Sequence, residues 1–159
     1  MKTLRAGLVG YGLGGRVFHA PLLVGAGFEV SAILTGSPER VAKAREDFPH
    51  AIICSTMDEL LREKLDLVVI SSANQVHAEQ AFAAIDAGIT TVIDKPVGRD
   101  LHETKAIFAA AESKNVKVSA FFNRRWDSES LTVKRIIRER ALGPIHRFES
   151  RFERYRPEL

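Results

Sequence analysis

The chain has 159 residues, enough for a domain with its own core, with 45% hydrophobic and 27% charged residues and a net charge of +3. That charge is too small to argue for nucleic acid, and no stretch approaches the roughly 18 apolar residues of a membrane span or shows a signal peptide's apolar core. Cys54 is the single cysteine, read as a small buried residue; with no internal disulfide to form, the expected compartment is the cytoplasm.

Leu4–Val9 is an apolar run suited to a buried parallel strand. Glycines follow at positions 10, 12 and 15, and Arg16–Val24 can be helical. A strand, a G-x-G-x-x-G turn and a helix in that order form the start of a dinucleotide-binding βαβ unit. Gly10 permits the tight turn, Gly12 lets a pyrophosphate approach the backbone, and Gly15 lets the helix pack closely on the strand. The helix N-terminus then offers N–H groups to the anion. A glycine-rich loop that binds nothing is the plain alternative, and the flanking strand and helix weigh against it.

Phe28–Leu34 reads as the second strand, closed by Thr35-Gly36-Ser37. Ser37 as N-cap and Pro38 at the first helical position open a helix to about Asp47. Ala51–Cys54 is a short third strand, and Thr56-Met57-Asp58-Glu59 is a capping box ahead of a short helix. Asp66–Ile70 is a continuous apolar strand, the pattern of one covered on both faces. Ser71–Val76 is a polar loop, and His77–Ala87 is helical and stopped by Gly88. Thr90–Ile93 is the fifth strand, ending in Asp94-Lys95-Pro96. Asp100-Leu101-His102-Glu103 caps a helix to about Lys114, and Val116–Phe121 is the sixth strand. The alternation predicts an α/β fold, a Rossmann-type doubly wound parallel sheet.

The character changes after Asn123. Trp126–Leu142 is charged and amphipathic, with Leu131, Ile136, Ile137 and Leu142 as its apolar side. Ile145–Glu153 alternates like a strand with one face for a core, but it has no partner in its own segment. We therefore expect a dinucleotide-binding domain over residues 1–123 and the opening of an α+β second domain over 124–159. An unpaired strand carrying Phe148 and Phe152 is expected to drive self-association. The arginines clustered toward the C-terminal end read as a solvated helix face and outward strand positions.

The residue that reads the adenosine ribose comes about 20 positions after the glycine loop. An Asp or Glu there signals NAD. This chain has Thr35, then Ser37 and Arg40, and hydroxyls with a guanidinium suit a 2′-phosphate that a carboxylate would repel. NADP is therefore the expected cofactor, with NAD the second option. Ser37 as a plain N-cap and Arg40 as a solvent-facing helix residue stay open. Ligands of open parallel sheets bind beyond the C-terminal strand ends. There lie Ser71, Ser72, Asn74 and His77 after the fourth strand and Asp94-Lys95-Pro96 after the fifth. Lys95 would project at the sheet's mouth, suited to proton transfer or simply a surface lysine. His77 reads first as a residue of its helix's opening turn, and His19 and His102 as structural or surface. No cluster has metal-ligand spacing, and no nucleophile elbow is present.

In combination, GYGLGGRVFHAPLL at Gly10–Leu23, the Asn74/His77 loop, AIDAG at Ala84–Gly88, VIDKPV at Val92–Val97 and NRRWDSESLTVKRII at Asn123–Ile137 are specific. The chain resembles the N-terminal part of the Gfo/Idh/MocA oxidoreductases, in particular the branch of NADP-dependent scyllo-inositol dehydrogenases and related sugar dehydrogenases. The resemblance implies that Gly10, Tyr11, Gly12, Leu13, Gly14 and Gly15 hold the pyrophosphate and that Thr35, Ser37 and Arg40 hold the adenosine end. Ser72, Asn74, His77, Asp94 and Pro96 would line the cofactor cleft. Lys95 would be catalytic, contacting substrate and assisting proton transfer while hydride moves to or from nicotinamide C4. Arg125, with Asn123 and Trp126, would stand at the crossing into the second domain. Asp94 replaces the commoner Glu of the family's E-K-P motif, one carboxylate for another. Family members run to about twice this length. Their second domain supplies further catalytic residues and a subunit interface, which implies a homo-oligomer and little or no turnover by this chain alone. A small sugar or polyol is the implied substrate. A non-catalytic NADP(H)-sensing module is the rival reading, and it has no need of Lys95.

Overall fold

The structure, a computed structural model, describes residues 3–157; the outer bounds expected for the two domains, residues 1 and 159, lie outside them. Six strands form one parallel sheet in the order β3-β2-β1-β4-β5-β6. They are β1 (Leu4–Val9), β2 (Phe28–Leu34), β3 (Ile52–Cys54), β4 (Leu67–Ile70), β5 (Thr90–Ile93) and β6 (Val118–Ala120). The helices are α1 (Ala20–Gly25), α2 (Pro38–Asp47), α3 (Met57–Leu61), α4 (His77–Asp86), α5 (Leu101–Ser113) and α6 (Ser128–Arg138).

Side-chain alternation along the central strands builds two cores from one sheet. Ala6 and Leu8 of β1 and Leu67 and Val69 of β4 join Ala20 and Leu23 of α1 and Ala44 of α2. Val9, Val68 and Ile70 join Ala81, Ala84 and Ile85 of α4 and Ile107 and Ala111 of α5. Burial on both faces is why these strands read as unbroken apolar runs. Between Ala6 and Gly7 the pairing of β1 with β2 shifts by one residue, leaving Ser31 as the extra residue of a bulge. The Ser31 hydroxyl accepts from Arg5 Nε at 3.1 Å and donates to Glu29 Oε1 at 2.9 Å.

The strands stop in register, and that positions the site. Val9 pairs with Ile70, and Ile70 with Ile93. The next N–H groups continue the ladder: Ser71 to Val9 O at 2.7 Å, Asp94 to Ile70 O at 2.8 Å, and Gly10 to Leu34 O at 2.9 Å. Four polar connections therefore begin side by side.

The first helix differs from the expected Arg16–Val24. A π-helical turn spans Gly14–His19 before α1, with Ala20 N–H donating to Gly15 O. Pro21 follows and has no N–H to give the carbonyl four residues back, so the regular ladder cannot run straight through. The capping box before α3 is complete, Glu59 N–H donating to Thr56 Oγ1 at 3.2 Å and Thr56 N–H to Glu59 Oε2 at 3.4 Å. At α5 only half of it forms. Asp100 accepts from Glu103 N–H at 2.8 Å, but the Glu103 carboxylate turns to the Arg99 N–H and guanidinium. The edge strands β3 and β6 are shorter than their apolar runs suggested.

The chain divides into two compact units after Phe122. The second holds a 3-10 turn at Asn123–Trp126 and α6, which ends four residues before Leu142. Leu131, Ile137 and Leu142 are exposed. Ile145–Glu153 is not a strand, contrary to expectation. A ladder needs a second chain segment to bond, and among the described residues this unit supplies none. Within this unit the Phe152 ring instead sits against two guanidinium groups, Arg124 at 5.4 Å and Arg154 at 5.0 Å. No helix among the described residues is long and apolar enough to cross a membrane.

Candidate functional site

Beyond the ends of β1, β2 and β4 lies a cleft of about 380 Å³, at the switch point of the sheet, where β2 follows on one side of β1 and β4 lies on the other. Its floor is the glycine loop. Gly10 has φ of +95°, and a Cβ there would stand 2.6 Å from the Ser71 carbonyl oxygen, so both conformation and space require glycine. A Cβ on Gly15 would overlap the Gly10 carbonyl oxygen. On Gly14 it would meet the Ser71 hydroxyl at 2.5 Å and Asp94 Oδ2 at 3.2 Å. Gly12 is different. The nearest atoms to a Cβ there all belong to the Arg40 guanidinium, at 3.8–3.9 Å. Bare backbone thus faces open space bounded by a cation.

The charge distribution suits an anion. Among the described residues, Arg40 is the one charged residue lining the cleft, and no carboxylate lines it. No side chain caps the helix start at Leu13, and no acidic residue stands in its first turn. Thr35, buried at the end of β2, joins the lining with Leu13, Gly36 and Ser72. Ser37 is the N-cap of α2 by position, but its hydroxyl makes no capping hydrogen bond. These features fit a dinucleotide: a cradle that any Cβ would fill, and a cation with hydroxyls where the adenosine ribose is read.

Tyr11 does not line the cleft. Its ring is buried, edge-on to Phe48, and its hydroxyl donates to Asp47 Oδ2 at 2.8 Å. Arg16 grips the same carboxylate through Nε at 2.6 Å and a second nitrogen at 3.1 Å. Burial and the neighbouring Asp47 push the phenol far above its ordinary range. The hydrogen bonds from Arg16 and then Tyr11 hold Asp47 below the usual carboxylate range. Tyr11 therefore anchors the loop to the end of α2.

Asn74, on a 3-10 turn ahead of α4, is exposed and lies outside the cleft lining. His77 is buried, with both ring nitrogens on backbone carbonyls of the two flanking loops. Asp94 accepts the Lys95 N–H through Oδ1 at 2.8 Å and the Ser71 hydroxyl through Oδ2 at 3.4 Å. Lys95 and Pro96, joined by a cis peptide bond, are exposed. In the second unit, Arg125 is exposed and its carbonyl accepts from Lys134 Nζ at 3.0 Å, while Asn123 opens the 3-10 turn. His19, read from spacing as structural or surface with no identifiable partner, is placed by the fold. It is 3% exposed, its ring 4.2 Å from that of Phe121 and its Nε2 3.4 Å from Asp94 Oδ2. The π turn carries it there, and nothing in the spacing announces such a turn.

Residues 4–122 match the family described as "Oxidoreductase family, NAD-binding Rossmann fold". The chain belongs to the Gfo/Idh/MocA oxidoreductase family. It is 36% identical over 161 residues to scyllo-inositol 2-dehydrogenase (NADP(+)) IolW of Bacillus subtilis, a match that takes in 100% of the chain and 44% of that protein. It is 39% identical over 158 residues to the uncharacterized oxidoreductase YdgJ of Escherichia coli, covering 99% of the chain and 45% of the relative. Among solved structures, myo-inositol 2-dehydrogenase from Lactobacillus plantarum superposes with a TM-score of 0.83 at 25% identity, over 91% of this chain and 43% of that one. The chain thus spans under half the length of these family members.

Proposed function

We propose that this chain is the NADP-binding part of a dehydrogenase that acts on a hydroxyl or carbonyl of a sugar or polyol. The observation that carries the reading is the Arg40 guanidinium beside Gly12, in a cleft with no carboxylate. A 2′-phosphate needs such a cation, and a ribose-binding carboxylate would repel it. The names of IolW and of the Lactobacillus enzyme support an inositol-like substrate. The bound nicotinamide would supply the hydride donor or acceptor. The chain's own residues would bind the pyrophosphate on Gly10–Gly15, receive the adenosine end at Thr35, Ser37 and Arg40, and present Lys95 to hold or move the proton of the substrate hydroxyl. Asn74, Asn123 and Arg125 belong to the same reading as contacts at the nicotinamide end. The remaining substrate contacts and a subunit interface would come from the part of the family members that this chain does not span. The chain alone would then bind nucleotide with little turnover, and the cytoplasm is its proposed location. Separate titrations with NADPH and NADH, followed by nicotinamide fluorescence, test this: NADPH should bind more tightly. Equal or tighter binding of NADH would overturn the cofactor assignment, and binding of neither would overturn the site.

A further inference from the structure

Ser72 stands in the wall of the cleft, just past the end of β4, and α4 holds it at two points. Its hydroxyl donates to Gln80 Oε1 at 2.6 Å, and its carbonyl oxygen lies 3.2 Å from His77 Nε2. His77 and Gln80 are three apart on α4 and so share a face. Ser72 and Gln80 are both half-buried, so water competes less for their bond. A hydroxyl has one proton to give and two lone pairs with which to accept. With the proton on Gln80, Ser72 has only acceptor capacity left. Ser71 is turned the same way, its hydroxyl donating to Asp94 Oδ2 at 3.4 Å.

The two sides of the cleft therefore differ in kind. On one side the Arg40 guanidinium, a group that only donates, stands beside Gly12. On the other, past β4, the serine oxygens are set to accept. Phosphate oxygens accept as well, so they gain nothing from such a wall. A sugar hydroxyl does gain, because it can donate. β2 and β4 lie on opposite sides of β1. With the adenosine end at Arg40, the Ser72 wall falls to the nicotinamide half of a dinucleotide, where the ribose hydroxyls are the first donors beyond the pyrophosphate.

We propose that Gln80 is a positioning residue: by taking the Ser72 proton it sets that hydroxyl as the acceptor for a hydroxyl of the nicotinamide ribose. This deepens the dinucleotide-binding reading and rests on it. The test is calorimetric titration of this chain with NADPH, with 2′-phospho-ADP-ribose, which keeps that ribose without the nicotinamide, and with 2′,5′-ADP, which lacks both. Gln80→Leu should weaken NADPH and 2′-phospho-ADP-ribose by about three- to tenfold and leave 2′,5′-ADP unchanged, which also shows that the variant is folded. Ser72→Ala should give the same pattern, and it decides the matter alone if Gln80→Leu does not fold. The double variant should lose no more than either single one, because Gln80 acts through Ser72. Gln80→Glu keeps an acceptor, and its charge acts on all three ligands, so its ratio of NADPH to 2′,5′-ADP affinity should stay near the wild-type value. A ratio unchanged in Gln80→Leu or in Ser72→Ala overturns the proposal. So does a loss confined to NADPH, which would put the contact on the nicotinamide ring. A ratio that falls in Gln80→Glu as in Gln80→Leu would show the carboxamide donating to Ser72, and overturns the assigned direction. A wild type that binds none of the three ligands overturns the dinucleotide reading and this proposal with it; a wild type that binds them, with variants that match it, overturns this proposal alone.

Discussion

His19 Nε2 and Asp94 Oδ2 stand 3.4 Å apart, yet the buried nitrogen makes no hydrogen bond. Burial lowers the pKa of this imidazole below the ordinary 6.5, and the Asp94 carboxylate only partly opposes that. As the pH falls through 6.5 the unfolded chain takes a proton that the folded ring resists, so stability falls from there down to the folded pKa. His19→Leu removes the titrating group. It should cost less than about 1 kcal/mol at mildly alkaline pH, because the nitrogen it removes is already unsatisfied. Urea midpoints on either side of this range should fall more for the wild type than for the variant. Equal acid losses would show that another group controls this range.

The glycine loop has a second anchor in Tyr11, Asp47 and Arg16. Tyr11→Phe keeps the ring, and Asp47 keeps its bidentate arginine; the loss should be about 1 kcal/mol. Asp47→Ala strands the buried hydroxyl and should cost about 1–3 kcal/mol. The carboxyl of Asp47 is held below its ordinary 3.8. Its contribution is therefore complete above that value and is lost as the pH falls through the lowered folded value. Denaturant unfolding at neutral and acid pH should show a gap between wild type and Asp47→Ala that narrows in acid.

Legibility in the sequence followed how local each feature is. The buried strands β1 and β4 were readable because both-face burial writes an apolar run into the strand itself. The ends of β3 and β6 were not, because pairing with a neighbour sets where an edge strand stops. The Ile145–Glu153 alternation misled for the same reason: period-2 patterning states a preference, and only a partner realises it. Gly10, Gly12 and Gly15 were legible as spacing. The crowding at Gly14 and the roles of His19 and His77 arise where separate strands end side by side, and no single stretch of sequence records that.

The glycines separate folding from binding. A methyl on Gly15 collides with the Gly10 backbone, so Gly15→Ala should cost about 3 kcal/mol or prevent folding. Gly14→Ala meets a serine side chain that can turn, and about 1 kcal/mol is expected. Gly12→Ala meets only the Arg40 guanidinium at ordinary contact distance and should alter stability by no more than about 0.5 kcal/mol. Its methyl would nevertheless occupy the place that the proposed reading gives to the pyrophosphate. Thermal unfolding should rank the three variants in that order, while Gly12→Ala alone combines near wild-type stability with lost NADPH binding. A Gly12→Ala protein that binds NADPH normally would refute the cradle.

In the proposed reading, Arg40 carries the choice between the two nucleotides. Its side chain is exposed on the first turn of α2, where removing it leaves no buried group unpaired. Arg40→Ala should therefore leave stability unchanged within about 0.5 kcal/mol. A hydrogen bond from a charged donor contributes about 1.5–3 kcal/mol, so NADPH affinity should fall by about ten- to a hundredfold while NADH affinity barely moves. The same contact should make wild-type NADPH binding more sensitive to salt than NADH binding, and Arg40→Ala should remove that difference. Parallel NADPH and NADH titrations of both proteins at low and high salt decide the matter. A parallel fall for both nucleotides would place Arg40 on the pyrophosphate they share, and an unchanged NADPH affinity would remove it from the site.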